Sequence, residues 1–261
     1  MTKQKSESTS TNETSIDIMR LTTETARFCI LGSRPMILHR MSQKVLHELL
    51  MPKGKKTAVE KASSLKHDPY QEFQDSAYLN HDDKGKTYLE QLSSCFRAAI
   101  AGAALDLPGA KRTEIARRIW ISDDRVSIYG IPKIFLAVTR SSDMNRTPDV
   151  RTRCIVPEWA AIVEVTYTTP ALRHQGVANL LATAGLTQGI GDWRPQKGKG
   201  SYGQFEIVSE DDPRFVHIVK NYGRKAQLAA MKNPEPYDTE SAELLEWYGP
   251  EAKRRGFKTV A

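Results

Sequence analysis

The sequence predicts an α+β fold, and three observations support this class. Short apolar runs such as 24–31 and 160–168 have the composition typical of strands. Two longer segments, 88–105 and 170–184, repeat apolar residues every three or four positions, which is the period of an amphipathic helix. The two kinds of segment follow one another in an approximate βαββαβ order, which predicts helices packed on a sheet.

Turn-forming residues divide the first third of the chain into short elements. Ser42 is a candidate N-cap, and Pro52 ends the helix that follows it. Asp68 is placed in the same way before a second helix. The elements predicted here are a strand over 24–31, an apolar step over 36–38, a helix over 41–51 and a short helix opened by Asp68-Pro69.

The middle of the chain is predicted to contain a hairpin. Its strands are 117–121 and 125–129, and Ser122-Asp123-Asp124 separates them. The stretch 140–153 is predicted to be a loop. The elements predicted around and after it are a strand over 133–139, a strand over 160–168, a helix over 170–184 and a strand over 202–208.

The complete order is typical of a ferredoxin-like (RRM-like) βαββαβ core with a glycine-rich loop and helical insertions. The polar N-terminus, rich in Ser, Thr and Lys, predicts a disordered tail. Two helical segments beyond 211 form either an oligomerisation element or a cover that packs back on the core. The predicted regions are a tail over 1–22, a core over 23–210 with a basic insertion over 52–66, and a helical C-terminal appendage over 211–261.

Composition and charge limit the classes of function. The chain has 38 Lys and Arg residues against 31 Asp and Glu residues, a formal charge of +7 that permits attraction to polyanions. The longest weakly charged stretch, 98–107, is too short to cross a bilayer, and the N-terminus lacks the apolar run of a secretory signal. Three widely spaced cysteines fit a reducing compartment. We therefore expect a cytoplasmic protein with buried thiols and no membrane partner.

The most informative segment is GLTQGIGDWRPQKGKGSYG, residues 185–203, which contains six of the sixteen glycines. Glycine lets a backbone approach phosphates closely, cations neutralise phosphates, and aromatic rings stack on unpaired bases. The P-loop and dinucleotide alternatives fail because the segment runs from a helix to a strand and contains no GKS or GKT. A cover whose tryptophan packs on the core is the remaining alternative. The candidate binding residues here are Trp193, Arg194, Lys197, Lys199 and Tyr202.

Further candidate residues lie outside this segment. Arg146, Arg151 and Arg153 belong to the predicted loop before the strand at 160, and the His39-Arg40 pair follows the first strand. Catalytic signals are weak because no HExxH, GxSxG or cysteine nucleophile motif occurs. His39 is the candidate general base if the protein is a metal-independent ribonuclease. Two Asp-Asp pairs fit turns better than a metal site, so no metal or other cofactor is expected.

Residues 189–208, GIGDWRPQKGKGSYGQFEIV, resemble the RAMP superfamily, the repeat-associated ferredoxin-like proteins that form the RNA-binding backbone of CRISPR effector complexes. Members of that family carry a C-terminal glycine-rich loop that runs into a final strand. The wider run from LGSRPMILHRMSQK (31–44) through KHDPYQEFQDSAY (66–78) to this loop is also similar to an uncharacterised group of phage-encoded proteins. The resemblance implies binding of single-stranded nucleic acid by the loop residues and self-association along the strand.

Together these observations predict non-enzymatic binding of single-stranded RNA or DNA by a protein that forms homo-oligomers. The phage resemblance implies a role in replication, recombination or CRISPR-like RNA binding in the cytoplasm of a bacterial host cell. Two alternatives stay open. One is a metal-independent endoribonuclease of the RAMP type, and the other is a counter-defence protein that binds a host effector complex.

Overall fold

The computed structural model describes residues 20–51, 65–140, 145–197 and 200–257. Most of the predicted tail, most of the basic insertion and the candidate residue Lys199 lie outside the described residues. Within those ranges the chain forms helices and antiparallel sheets, so the predicted α+β class is confirmed.

Strands and helices alternate along most of the chain. The strands are β1 (Thr22–Gly32), β2 (Met36–Ile37), β3 (Tyr78–Leu79), β4 (Leu89–Leu92), β5 (Ile119–Ile121), β6 (Arg125–Tyr129), β7 (Lys133–Arg140), β8 (Pro148–Val156), β9 (Ala160–Thr169) and β10 (Phe205–Val208). The α-helices are α1 (Gln43–Leu50), α2 (Pro69–Asp75), α3 (Ser93–Ala103), α4 (Arg112–Arg118), α5 (His174–Thr183), α6 (Pro213–Asn221), α7 (Arg224–Lys232) and α8 (Thr239–Arg254).

The larger sheet has the strand order β10-β1-β9-β6-β4-β3, and β5 also pairs with β9. Because β9 lies antiparallel between β1 and β6, those two strands run parallel to each other, and α3 lies on the connection between them. In the same way β1 lies antiparallel between β9 and β10, so those two strands are parallel to each other. Helix α5 lies on the connection from β9 to β10. The sheet therefore contains two interleaved β-helix-β units.

The main core lies between one face of this sheet and helices α3 and α5. Alternate residues of β1 and β9 face the core, among them Phe28, Ile30 and Val163, which are at most 5% exposed. The helices contribute buried side chains such as Phe96 and Leu181. Burial of one large apolar side chain is worth about 1.5–3 kcal/mol, so these contacts hold the helices on the sheet.

The smaller sheet has the order β2-β8-β7, and α2 covers the part of β8 that β2 does not reach. The N–H of Thr152 donates to the Glu72 carboxylate at 3.1 Å. The N–H of Cys154 donates to the Ser76 hydroxyl at 2.8 Å. Side chains at and just after α2 thus take the place of a neighbouring strand along this edge.

Two predictions for the middle of the chain are wrong. β5 and β6 do not form a hairpin, because both pair with the same edge of β9. Ile121 lies opposite Val165, and Ile128 lies opposite Ala161, so the two segments form one interrupted strand. The predicted loop over 140–153 is wrong from Pro148 onward, since this stretch pairs along the length of β7 as β8.

The long helix predicted over 88–105 begins later than expected. Leu89–Leu92 forms β4, which pairs with β3 on one side and β6 on the other. The predicted helix caps are confirmed, since Ser42 accepts the N–H of Val45 at 3.4 Å and Asp68 accepts that of Gln71 at 3.2 Å. The strand predicted over 202–208 is shorter, because β10 begins only at Phe205.

The C-terminal helices pack back on the core. Gln227, on α7, is fully buried. Its side-chain oxygen accepts the N–H groups of Tyr88 and Leu89 at 2.7 and 3.0 Å. Its amide nitrogen donates to the carbonyls of Ile128 and Gly130 at 2.7 and 3.1 Å. One side chain therefore joins α7 to two strands of the larger sheet.

Two further properties concern the helices and the cysteines. None of the helices in the described ranges combines the length and the apolar character that a bilayer crossing requires. Cys29 and Cys154 are buried free thiols, and Cys95 is half-buried. Burial raises the pKa of all three thiols, so they are uncharged near neutral pH.

Candidate functional site

The glycine-rich segment is anchored on the core through its own backbone. The N–H of Asp192 donates to the carbonyl of Ile37 at 2.9 Å, and the N–H of Gly203 donates to that of Pro35 at 2.7 Å. The N–H of Ile190 donates to the Gly203 carbonyl at 2.9 Å and joins the two ends of the loop. These three N–H groups are therefore already bonded inside the protein and do not serve a phosphate.

Two of the glycines are required because the backbone of the glycine-rich segment lies so close to other backbone groups. Gly191 has a φ of +89° and Gly203 a φ of +70°, in the left-handed region that other residues rarely adopt. A Cβ at Gly191 would overlap the carbonyl oxygen of Ile37, and one at Gly203 would overlap that of Ile190. These glycines fit the segment against the core, so side chains are the groups it presents to a ligand.

Trp193 and Tyr202 pack together on the smaller sheet. Their ring centroids lie 6.1 Å apart, and both contact a cluster formed by Ile37, Phe135 and Ile155. Both residues are only half-buried, so part of each side chain faces solvent. Trp193 therefore packs on the core, as the alternative interpretation of the segment expected, and keeps an exposed part that a base could stack on.

Charged side chains meet beside Trp193. Arg153, on β8, pairs with Asp192, and the Lys197 ammonium lies 3.7 Å from the same carboxylate. The Arg153 guanidinium also lies over the Trp193 ring, 5.7 Å from its centroid. Burial would raise the pKa of Asp192, but Arg153, the Trp193 N–H and the other cations outweigh burial and lower it. Asp192 is thus an anion that holds two cations in place.

His39 belongs to the same cluster. Desolvation lowers its pKa, the positive charges of Arg153, Lys197 and Arg151 lower it further, and Asp192 offsets only part of the change. The residue is nevertheless exposed to solvent. At neutral pH its imidazole is therefore uncharged and able to accept a proton from a ligand. We call His39, Arg151, Arg153, Asp192, Trp193 and Lys197 the cationic cluster.

Three predicted site residues do not join the cationic cluster. Arg40 lies over the ring of Tyr78, 5.9 Å from its centroid. Arg194 donates to the Gly191 carbonyl at 2.7 Å, so it stabilises the turn of the loop. Arg146 is exposed in the connection between β7 and β8. Lys199 is outside the described residues, and the other predicted residue, Tyr202, contacts the ring of Trp193 at the edge of the cationic cluster.

A second polar cluster, which the sequence analysis missed, joins α2 to β8. The Nδ1 atom of His67 lies 2.7 Å from Glu72, and its Nε2 atom lies 2.8 Å from Asp149. Asp149 also accepts the Lys66 ammonium at 2.6 Å and pairs with Arg151 at 3.0 Å. The two carboxylates lie on opposite sides of the imidazole ring and do not converge. No group of three or more His, Cys, Asp or Glu side chains in the described ranges could hold a metal ion.

The cationic cluster combines positive charge with an aromatic surface. The side chains of Arg151 and Lys197 are 51% and 53% exposed, so both can reach a ligand. Guanidinium and ammonium groups bind phosphates, and an indole stacks on bases.

Comparison with models of known protein families and with curated proteins finds no match for this chain.

Proposed function

We propose that the protein binds single-stranded nucleic acid through the cationic cluster, on a ferredoxin-like core of the RAMP type. The strand order supports this core. We number the strands β1, β6, β9 and β10 as first to fourth along the chain. Across the sheet they then lie in the order fourth, first, third, second, which is the order of a split βαβ arrangement. The glycine-rich segment also lies between α5 and the final strand of this set, where RAMP proteins carry their glycine-rich loop.

The observation that carries the proposal is the meeting of Arg153 and Lys197 at Asp192, next to Trp193. Arg153 and Lys197 share a single carboxylate, so positive charge remains for a ligand. Arg151 lies on the same face of β8 as Arg153, two residues away along the strand. A phosphodiester chain supplies the repeated negative charge that such a row neutralises, and an unpaired base supplies the flat surface that Trp193 would stack on.

Binding of labelled single-stranded oligonucleotides at several salt concentrations tests the proposal. For three phosphate contacts, the logarithm of the binding constant should fall with the logarithm of the salt concentration with a slope of about −2. The double variant Arg151→Ala/Lys197→Ala should weaken binding and reduce that slope by about 1.4. Lys225→Ala, which removes an exposed lysine on α7, is the matched control. Affinity that responds neither to salt nor to the double variant would overturn the proposal.

A second candidate function, metal-independent cleavage of RNA, is favoured by the state of His39. A neutral imidazole beside cations can accept the proton of a ribose 2′-hydroxyl while that oxygen attacks the adjacent phosphate, and the cations stabilise the charge on the phosphate. The bond from phosphorus to the 5′-oxygen of the next nucleotide then breaks, and this oxygen leaves as a hydroxyl with a proton from water or from the imidazolium. RNA incubated with the protein in EDTA should then give cleavage products that His39→Ala abolishes. A strand that stays intact removes this candidate and leaves the binding function in place.

A further inference from the structure

A cleft lies where the C-terminal appendage meets the core. Its volume is about 460 Å³, within the range of about 300–1,000 Å³ typical of small-ligand sites. None of its lining residues belongs to the cationic cluster. They are Ile131, Lys133, Pro157, Glu158, Tyr222 and Tyr237. The cleft therefore offers two aromatic side chains and one charged group of each sign.

The walls of the cleft are held in place by backbone hydrogen bonds. On one side, the N–H of Gly130 donates to the carbonyl of Tyr222 at 3.0 Å. On the other side, the N–H of Tyr237 donates to the carbonyl of Ile134, and the N–H of Ile134 donates to that of Glu235, both at 2.9 Å. Both tyrosines are thus tied to the core through their backbone, so the cleft is formed before any ligand arrives.

The lining offers aromatic surface to a planar ring, and Lys133 is the one cation among the described lining residues, which also include the carboxylate of Glu158. Tyr222 and Tyr237 are half-buried and contribute aromatic surface to the cleft, and aromatic side chains are the usual stacking partners of unpaired bases. The Lys133 ammonium lies 3.3 Å from the carboxylate of Glu235, whose side chain is 77% exposed. Such exposed pairs are weak, so Lys133 can exchange this partner for a phosphate.

Ring contacts connect the cleft with the cationic cluster. The ring of Tyr237 meets that of Phe135 edge to face, with 5.5 Å between centroids. Phe135 meets Trp193 in the same way at 6.1 Å. The cleft and the cationic cluster are therefore two ring contacts apart, and a single bound strand can reach both.

We infer that the cleft holds one unpaired base of the strand bound at the cationic cluster, with Tyr237 stacked on the base and Lys133 on the neighbouring phosphate. This inference rests on the proposed function, because it needs a strand at the cationic cluster. The ligand of the cleft is one nucleotide within that strand.

Two oligonucleotides of equal length test the inference, a thymidine strand and a strand of abasic units. The full-length protein should bind the thymidine strand about tenfold more tightly, because only this strand has bases to stack. Tyr237→Leu should lose the part of that preference that the cleft supplies, keep the part that Trp193 supplies, and leave the affinity for the abasic strand unchanged, whereas Tyr237→Phe should keep the full preference. Lys133→Ala should weaken the binding of both strands about threefold, since it removes one phosphate contact. Lys225→Ala should change neither affinity.

The outcomes separate the two proposals. If the wild-type protein binds neither strand, both the proposed function and the inference fail. If Tyr237→Leu and Lys133→Ala bind both strands like the wild type, the strand is bound without the cleft and the inference alone is overturned. If the wild-type protein binds both strands equally, neither Tyr237 nor Trp193 stacks on a base, so the inference fails together with the stacking part of the proposed function. If Tyr237→Leu does not fold, the affinities of the wild type, Lys133→Ala and Lys225→Ala for both strands are compared instead. The inference is then overturned if Lys133→Ala binds both strands as tightly as the wild type and Lys225→Ala do.

Discussion

Two polar clusters hold peripheral segments on the core, and they are built in opposite ways. Gln227 is a neutral amide with no exposed surface, and four backbone groups of the core satisfy it. Arg153 and Asp192 are charged, are 13% and 12% exposed, and lie at the border of the solvent. Lys197 adds a second cation to the same carboxylate.

The difference shows which cluster is structural and which can serve a ligand. An amide whose hydrogen bonds are all made inside the protein has nothing left to offer a ligand, and its loss leaves several buried groups without partners. Two cations on one carboxylate leave positive charge that the protein does not balance. We therefore expect substitutions at the first cluster to change stability and substitutions at the second to change binding.

The largest effect is expected at Gln227. Gln227→Leu leaves two N–H and two carbonyl groups buried without partners, so the free energy of unfolding should fall by about 3–5 kcal/mol. Urea denaturation measures this change. The control Gln175→Ala, on an exposed position of α5, should change stability by no more than about 0.5 kcal/mol. Equal stability of the two variants would show that the amide is dispensable and would remove the contrast between the clusters.

A smaller loss of stability is expected where the loop that carries Asp192 meets the core. Gly203→Ala places a Cβ on the carbonyl of Ile190 at a positive φ, and should lower the free energy of unfolding by about 2–3 kcal/mol. Gly176→Ala is the matched control because it lies in α5 with open space around it. It should stabilise the protein by up to about 1 kcal/mol. Thermal unfolding measures the stability of both variants. A Gly203→Ala variant that is more stable than the Gly176→Ala variant would contradict the prediction.

The charged cluster should respond mainly in binding. Asp192→Asn keeps the shape of the side chain and removes the anion that the two cations share. We expect the affinity for a single-stranded oligonucleotide to rise about threefold at low salt, while stability falls by about 1 kcal/mol. Fluorescence anisotropy measures the affinity. A weaker complex would mean that the carboxylate is needed chiefly to orient Arg153, and that the surplus charge does not drive binding.

The smallest effect concerns pH. Because the pKa of His39 is lowered in the folded protein, the unfolded chain binds this proton more readily, and the associated stability is lost as the pH falls below the ordinary value of about 6.5. His39→Gln should therefore lose less stability than the wild type between about pH 7.5 and about pH 5. Bound phosphate should raise the pKa of His39, which an NMR titration with and without oligonucleotide would reveal. Identical pH profiles would place His39 outside the cluster's electrostatics.

Local patterns predicted the elements that depend on local chemistry. The apolar runs 24–31 and 160–168 predict β1 and β9 to within two residues, and Ser42 is predictable because an N-cap acts within its own turn. The conformation of Leu89–Leu92 is not predictable locally, because its apolar spacing suits a helix as well as a strand. Its conformation is decided by β6 and by Gln227, which lies more than a hundred residues away along the chain.

The candidate site is predicted only in part, because the sequence shows residue types but does not show which distant segments come into contact. Trp193, Arg153 and Lys197 were selected by residue type and do meet in the structure. The sequence does not predict a role for Asp192, because a single acid in a basic segment has no motif of its own. The glycine-rich composition predicts that Gly203 allows a close approach to phosphate, whereas the close neighbour of Gly203 is the carbonyl of Ile190, a contact that only the folded backbone creates.

The side chains of Glu72 and Ser76, which cover one edge of β8, affect contacts between separate molecules. A strand edge with unpaired N–H groups can recruit a strand from another molecule, which is a common route to aggregation. Glu72 and Ser76 occupy the N–H groups of Thr152 and Cys154, so this edge has no donors at those positions for intermolecular strand addition. Two side chains on one short segment thus help to keep neighbouring molecules apart in a crowded solution.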